Sequence, residues 1–143
     1  MTEQMTVWKV VRRHRDRHNL FFSAIVYDTP WARVYEPNEP TTFPSDAPGL
    51  AFEKEVNATL FRRANVMRHL TELWKCDAAV LPDCPQKLLA TEELCLAEND
   101  RYVRDFWRSD DWKGRKGLRA PYIYAPRGTV ACLSITLLER CDD

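Results

Sequence analysis

The residues with the greatest capacity for chemistry lie between positions 101 and 127. This segment carries eight basic residues against three acidic ones, a local net charge of +5, whereas the whole chain has 21 of each. It also holds six of the sixteen aromatic residues, which are five Trp, five Tyr and six Phe. Arginine binds phosphate through paired charge-assisted hydrogen bonds, and an aromatic ring stacks on a nucleobase for about 1–3 kcal/mol. The segment therefore favours binding of a small nucleotide or a short single strand of nucleic acid.

Two parts of this segment are the least suited to a place in the core. Pro126 and Gly128 occupy the second and fourth positions of a predicted type I turn over 125–128, which would expose Arg127 at its apex. The loop at 112–119 is polar and basic, and it includes Arg119. By contrast, Tyr102 and Trp107 have the spacing of a buried helix stripe, so they serve either as core residues or as a ligand platform.

The sequence contains no signature of a common enzyme class. The patterns G-x-G-x-x-G, G-x-x-x-x-G-K-[ST], H-E-x-x-H and G-x-S-x-G are all missing from it. The five cysteines have no C-x-x-C spacing and no histidine partner at zinc-finger spacing, so we expect reduced thiols and no metal. We accordingly predict no catalytic residue and no cofactor.

Length and composition indicate a single domain spanning residues 1–143. Hydrophobic residues make up 45% of the chain and charged residues 29%, which is ordinary for a globular protein. A net charge of zero provides no overall field for a long polyanion, so no long nucleic acid is expected. No stretch of about 18 apolar residues and no signal peptide is present, so we expect a cytoplasmic protein that does not enter a membrane.

The pattern of apolar residues predicts an α+β fold. Helix 53–66 would bury a stripe formed by Val56, Leu60, Ala64 and Met67, and a second helix would span Asp100–Arg108. Residues 36–49 contain four of the nine prolines and are expected to form a surface loop. These elements fit an antiparallel, or mixed, sheet of five to six strands with two helices on one face. The predicted strands are 6–13, 20–27, 31–35, 70–79, 120–125 and 130–138, with the last two forming a hairpin.

Several short motifs are distributed over most of the chain, namely VWKVVRR followed by SAIVY, LAFEKEVNATLFRR, WKC, DFW with Trp112 soon after, and the final APRGTVACLSITLLER. Together they resemble a family of small phage-encoded Thoeris anti-defence proteins. The resemblance implies a homo-oligomeric sponge that sequesters a cyclic nucleotide immune signal, such as a cyclic ADP-ribose isomer or a cyclic oligonucleotide, without cleaving it. The proline-rich 36–49 segment and the basic RHRDRHN turn depart from the family pattern. The ligand-binding residues implied in this way are Arg127, Arg119, Arg104, Arg108, Tyr102 and Trp107, assisted by Arg62 or Arg63.

Two other functional classes remain open at this stage. The same basic segment would hold phosphates in an enzyme that acts on a cyclic nucleotide or on NAD. Alternatively, its Trp and Arg residues would form the interface of a phage protein that inhibits another protein, because these residue types dominate binding hot spots.

Overall fold

The computed structural model describes residues 1–14, 16–17, 20–23, 33–64, 68–89, 100–114, 116 and 122–141. The elements in chain order are β1 (Glu3–Arg13), β2 (Phe21–Ser23), β3 (Val34–Tyr35), β4 (Thr41–Thr42), β5 (Gly49–Phe52), α1 (Glu55–Ala64), β6 (Thr71–Val80), β7 (Lys87–Leu89), α2 (Asp100–Arg108), β8 (Tyr122–Tyr124) and β9 (Thr129–Cys141). The parts of the predicted strands 20–27 and 31–35 at positions 24–32 lie outside the described residues, as do positions 120–121.

Strand β1 is the longest uninterrupted partner of β6. The two strands pair antiparallel from Glu3↔Val80 to Arg12↔Thr71. Because side chains alternate between the faces of a strand, every second residue of β1 points to the same side. Val7 and Val11 are completely buried on that side, and Lys9, which lies between them, is also buried.

Four strands form a closed circuit of pairings. β1 pairs with β6, β6 with β9, β9 with β5, and β5 with β1, all antiparallel. The link between β1 and β5 is the weakest, since Trp8↔Phe52 is the single register position that joins them among the described residues. β2 and β3 extend the sheet beyond β1, and β4 pairs with β9. The α+β class with an antiparallel sheet is therefore confirmed.

The main core lies on one side of this circuit, where side chains of four strands meet. Cys76, Cys132, Ile135 and Leu137 are completely buried there together with Val7. At one end of the same face, Glu72 accepts ion pairs from Arg13 at 2.8 Å and Arg140 at 3.4 Å and a hydrogen bond from the indole of Trp74 at 3.2 Å.

Helix α1 covers the opposite side of the sheet, but with a different face from the predicted one. Ala58 is completely buried and the ring of Phe61 lies 5.2 Å from that of Phe52. The predicted stripe is wrong, because Val56 and Leu60 are more than half exposed and Ala64 is exposed. The large ring of Phe61 and the small Ala58 let the helix approach Phe52 closely, and this packing outweighs the periodicity of the aliphatic residues. Met67 lies outside the described residues.

The predicted C-terminal hairpin does not form. β8 pairs with β7 in a separate two-stranded ribbon, so the turn before β9 joins two different sheets. The turn is also one residue later than predicted, since the Thr129 amide donates to the carbonyl oxygen of Pro126 at 3.2 Å. Gly128, at the third position, has φ of +82°, as a type II turn requires. Arg127 is exposed in this turn.

The proline-rich segment 36–49 does more than cross the surface. It contains β4, its Ala47 is buried, and its Phe43 packs against the main core. Gly49 permits this packing, because a Cβ atom there would lie 2.6 Å from the Phe43 ring. None of the helices in the described part of the chain is long and apolar enough to cross a membrane.

Candidate functional site

A cavity of about 230 Å³ lies where β1 and β5 diverge on either side of their single pairing position. Residues of β1, β3, β5, α1, β7, α2, β8 and β9 line it, together with the segment between β4 and β5. Most of these residues are apolar. The aromatic and basic side chains among them are Lys9, Arg33, Tyr35, Phe43, Trp107 and Tyr124.

Lys9 is the buried cation of this site. Its ammonium donates a hydrogen bond to the backbone carbonyl oxygen of Leu50 and lies 5.7 Å from the centroid of the Tyr35 ring. Removal of the ammonium from water lowers the pKa of Lys9 from 10.5 to about 8. The amine is thus mostly charged at neutral pH and holds a substantial neutral fraction at slightly alkaline pH.

Three titratable groups beside Lys9, namely Cys76, Cys132 and Tyr35, are neutral at neutral pH. Burial raises the pKa of Cys76 and of Cys132 to about 12, although the positive charge of Lys9 favours their thiolates. Burial likewise raises the pKa of Tyr35, so its phenol keeps its proton. Both thiols are free. Lys9 consequently has no thiolate or phenolate counter-ion at neutral pH.

The electrostatic character of the cavity follows from its lining. Arg33 adds a second positive charge to that of Lys9, and no Asp or Glu is among the described residues that line the cavity. A cation in an apolar environment interacts more strongly with an anion than it would in water. The charged residues among the described lining are therefore all basic, within a lining that is mostly apolar.

Aromatic rings form the walls and the mouth. The rings of Tyr35 and Phe43 lie 6.3 Å apart at one wall. Trp107 is held by Trp112, whose indole donates to the Trp107 carbonyl oxygen at 3.1 Å, with the two rings 5.2 Å apart. Tyr124 is 47% exposed, so part of its ring faces solvent. Flat rings of this kind bind the faces of heterocycles by stacking.

Helix α2 positions Trp107, which is the one predicted site residue among those described that lines this cavity. Val103 and Phe106 are buried and anchor the helix against Trp112. The expectation that the 112–119 loop has no core role is thus wrong at Trp112, since a short 3-10 turn folds its indole inward. Two arginines of the helix face Asp46, which Arg108 contacts at 2.8 Å and Arg104 at 3.9 Å.

The other predicted residues lie elsewhere. Arg62 donates to the hydroxyl and the carbonyl oxygen of Thr71, at 3.0 and 2.8 Å, so it fastens α1 to β6. Arg63 is exposed on α1. Arg127 is exposed next to Pro126, which does line the cavity. Arg119 and the side chain of Tyr102 lie outside the described part of the chain.

Sequence reasoning missed the residues that define the cavity. Lys9 carried a readable signal, because it occupies an inward position between Val7 and Val11 in a strand of apolar residues. Arg33, Tyr35 and Phe43 carried none, since they meet only when β3 and the proline-rich segment fold back onto the sheet. In the described portion of the chain, no group of three or more His, Cys, Asp or Glu residues could hold a metal ion.

Comparison with known proteins adds no relative to this description. No family model matches the chain, and no curated protein or solved structure matches it either.

Proposed function

We propose that this protein captures a small anionic ligand with a flat ring in the cavity of Lys9. The class of ligand is the cyclic nucleotide signals that the resemblance implies, namely cyclic ADP-ribose isomers or cyclic oligonucleotides. The observation that supports the proposal is the pairing of two cations, Lys9 and Arg33, with aromatic walls and no acidic residue among the described lining. A phosphate would meet the cations and a base would stack on the rings.

The size of the cavity suggests how such a ligand is held. A volume of about 230 Å³ is below the roughly 300–1,000 Å³ of typical pockets for drug-sized molecules. One base and its adjoining phosphate would therefore occupy the cavity, while the rest of the ligand lies at its mouth beside Tyr124 and Pro126. This arrangement gives Arg127, which follows Pro126, a role at the rim rather than at the centre.

Capture without cleavage is the simplest outcome for these side chains. The thiols of Cys76 and Cys132 and the phenol of Tyr35 are protonated at neutral pH, so none of them is a ready base or nucleophile. We therefore favour a sponge over an enzyme that works through these thiols or this phenol. The proposal extends to action as a homo-oligomer in the cytoplasm of an infected bacterium.

Isothermal titration calorimetry with a panel of cyclic nucleotides and cyclic ADP-ribose isomers tests this function. We expect saturable binding, with the ligand recovered intact by chromatography after heat denaturation of the protein. Lys9→Met, which keeps the length of the side chain and removes its charge, should weaken binding by about tenfold or more. Sedimentation velocity with and without ligand reports the oligomeric state.

Two results would contradict the proposal. One is the absence of binding heat with every member of the panel. The other is release of a chemically altered product at a protein concentration well below that of the ligand, which would favour the enzyme alternative.

A further inference from the structure

Lys9 differs from the other lysines whose surroundings are described. Only Lys9 and Lys87 are buried among them, and Lys87 donates to the carbonyl oxygen of Lys116 at 2.6 Å instead of lining the cavity. Lys75, on β6, is exposed. Lys9 is thus the one described lysine that is both buried and among the residues lining the cavity.

We propose that the cavity is a carbonyl-capture site, in which Nζ of Lys9 forms a reversible imine with an aldehyde on a flat, anionic small molecule. The geometry that supports this is the position of the amine beside Leu50 and Tyr35, both of which also line the cavity. The proposal shares the cavity with the proposed function but does not depend on the ligand being a nucleotide.

The chemistry balances without an oxidant or a reductant. The lone pair of the neutral amine attacks the aldehyde carbon and forms an N–C bond, which gives a carbinolamine. The former carbonyl oxygen then leaves as water, carrying away the two hydrogens that the amine loses. The product is a C=N bond between Lys9 and the ligand, and hydrolysis reverses each step.

The surroundings of the amine favour this reaction. With a pKa near 8, about half of the Lys9 side chains are neutral and nucleophilic at pH 8, whereas an ordinary lysine is almost wholly charged. The groups that influence Lys9 electrostatically are Cys76 on β6 and Cys132 on β9, and both are protonated thiols that do not compete for the aldehyde. The neutral phenol of Tyr35 on β3 and the positive Arg33 complete this environment, and Arg33 would pair with the anionic group of the ligand.

Pyridoxal 5′-phosphate is a suitable probe, since it combines an aldehyde, an aromatic ring and a phosphate. The folded protein would be incubated with it at pH 8, reduced with borohydride to make the adduct permanent, digested and mapped by mass spectrometry. We expect roughly one adduct per chain, located at Lys9, with at least about tenfold less label at the exposed Lys75. Lys75→Met is the matched control and should label like the unsubstituted protein.

The position of the label in the unsubstituted protein tests the proposal, so the test does not require that any substituted protein folds. Label spread over exposed lysines and the N-terminal amine, with Lys9 unmodified in the folded protein, would overturn the proposal. Lys9→Arg separates it from the proposed function, because it keeps a cation for binding nucleotide phosphate but cannot form an imine. Labelling at Lys9 without any nucleotide binding would support carbonyl capture and refute the nucleotide sponge, whereas nucleotide binding with Lys9 unlabelled would do the reverse.

Discussion

The ammonium of Lys9 donates a hydrogen bond to the carbonyl oxygen of Leu50, 41 residues further along the chain. This bond joins β1 to β5 next to Trp8↔Phe52, the single position at which the two strands pair. The bond satisfies one N–H donor of the Lys9 ammonium, whose charged form is disfavoured by burial. The same side chain therefore ties the two strands together and supplies a positive charge to the cavity between them.

The pH dependence of stability should report on Lys9. Its pKa falls from 10.5 in the unfolded chain to about 8 in the folded one, so the unfolded state binds more protons between these values. The contribution of Lys9 to stability is thus fully present above pH 10.5 and is lost as the pH falls towards 8. We expect the unfolding free energy of the native protein, relative to Lys9→Met, to increase from pH 8 to pH 10.5 by an amount on the order of 3 kcal/mol.

The comparison with Lys9→Met is needed because Cys76 and Cys132 change the unfolding free energy with pH in the opposite direction to Lys9. Cys76 and Cys132 have pKa values raised from 9.0 to about 12 in the folded protein, so their contribution is present below pH 9 and is lost as the pH rises beyond it. The native protein and Lys9→Met both contain these thiols, so the effect of the thiols largely cancels in the difference between the two unfolding free energies. Urea titrations at several pH values measure this difference. A difference that stays constant from pH 8 to 10.5 would contradict the lowered pKa of Lys9.

Ligand binding should depend on Tyr124 more than on Arg108. Tyr124 lines the cavity and is half exposed, so its removal should leave the core intact and weaken binding by about tenfold through lost stacking. Arg108 contacts Asp46 outside the cavity lining, and Arg108→Ala should change the affinity by less than about threefold. Calorimetry with the best ligand of the panel gives both values. If loss of the Arg108 side chain weakened binding more than loss of the Tyr124 side chain, the binding site would instead lie on the face of α2 that carries the arginines.

Gly128→Ala should destabilise the protein. The residue has φ of +82°, and a Cβ atom there would lie 2.6 Å from the side-chain oxygen of Asn57. A loss of about 1–2 kcal/mol is expected from the strained backbone and the close contact. Gly114→Ala is the control, since a Cβ atom at Gly114 has no neighbour within 4 Å among the described residues. Denaturant midpoints measure the two effects, and equal midpoints for the two variants would refute the argument.

Thiol labelling should separate Cys84 from Cys76 and Cys132. Cys84 is exposed, whereas Cys76 and Cys132 are buried and have pKa values of about 12. Because the thiolate is the reactive form, iodoacetamide at pH 8 should modify Cys84 in the folded protein and leave the other two unmodified until urea unfolds the chain. Peptide mapping identifies the sites. Rapid modification of Cys132 under native conditions would contradict the packing of the core around it.

The sequence predicted the elements that depend on local pattern. The β-branched and aromatic residues of 6–13 identified β1, and the alternation over 130–138 identified β9, although both strands are longer in the structure. The spacing of Phe106 and Trp107 identified α2 with the bounds that the structure has. These signals are local, so no knowledge of the partners was required.

The sequence did not predict which strand or side chain each element packs against. The turn at Arg127 looked like the tip of a hairpin, yet the strand before it pairs with β7 rather than β9. Likewise, Phe61 rather than Leu60 faces the sheet. Which face of α1 packs on the sheet depends on the shape of Phe52, a residue of β5 and not of the helix itself. The cavity eluded prediction for the same reason, since its cations come from separate segments that meet only in the folded chain.

The closed circuit of β1, β6, β9 and β5 also constrains when the protein can fold. β9 spans Thr129–Cys141 and pairs with β4, β5 and β6, so the first strand of the circuit cannot be enclosed until residues near position 130 have left the ribosome. Contacts between residues so far apart in sequence slow folding, because the loop must close before they form. Until β9 has been synthesised, the nascent chain therefore exposes the apolar face of β1, and the cavity, which Thr129 helps to line, is incomplete.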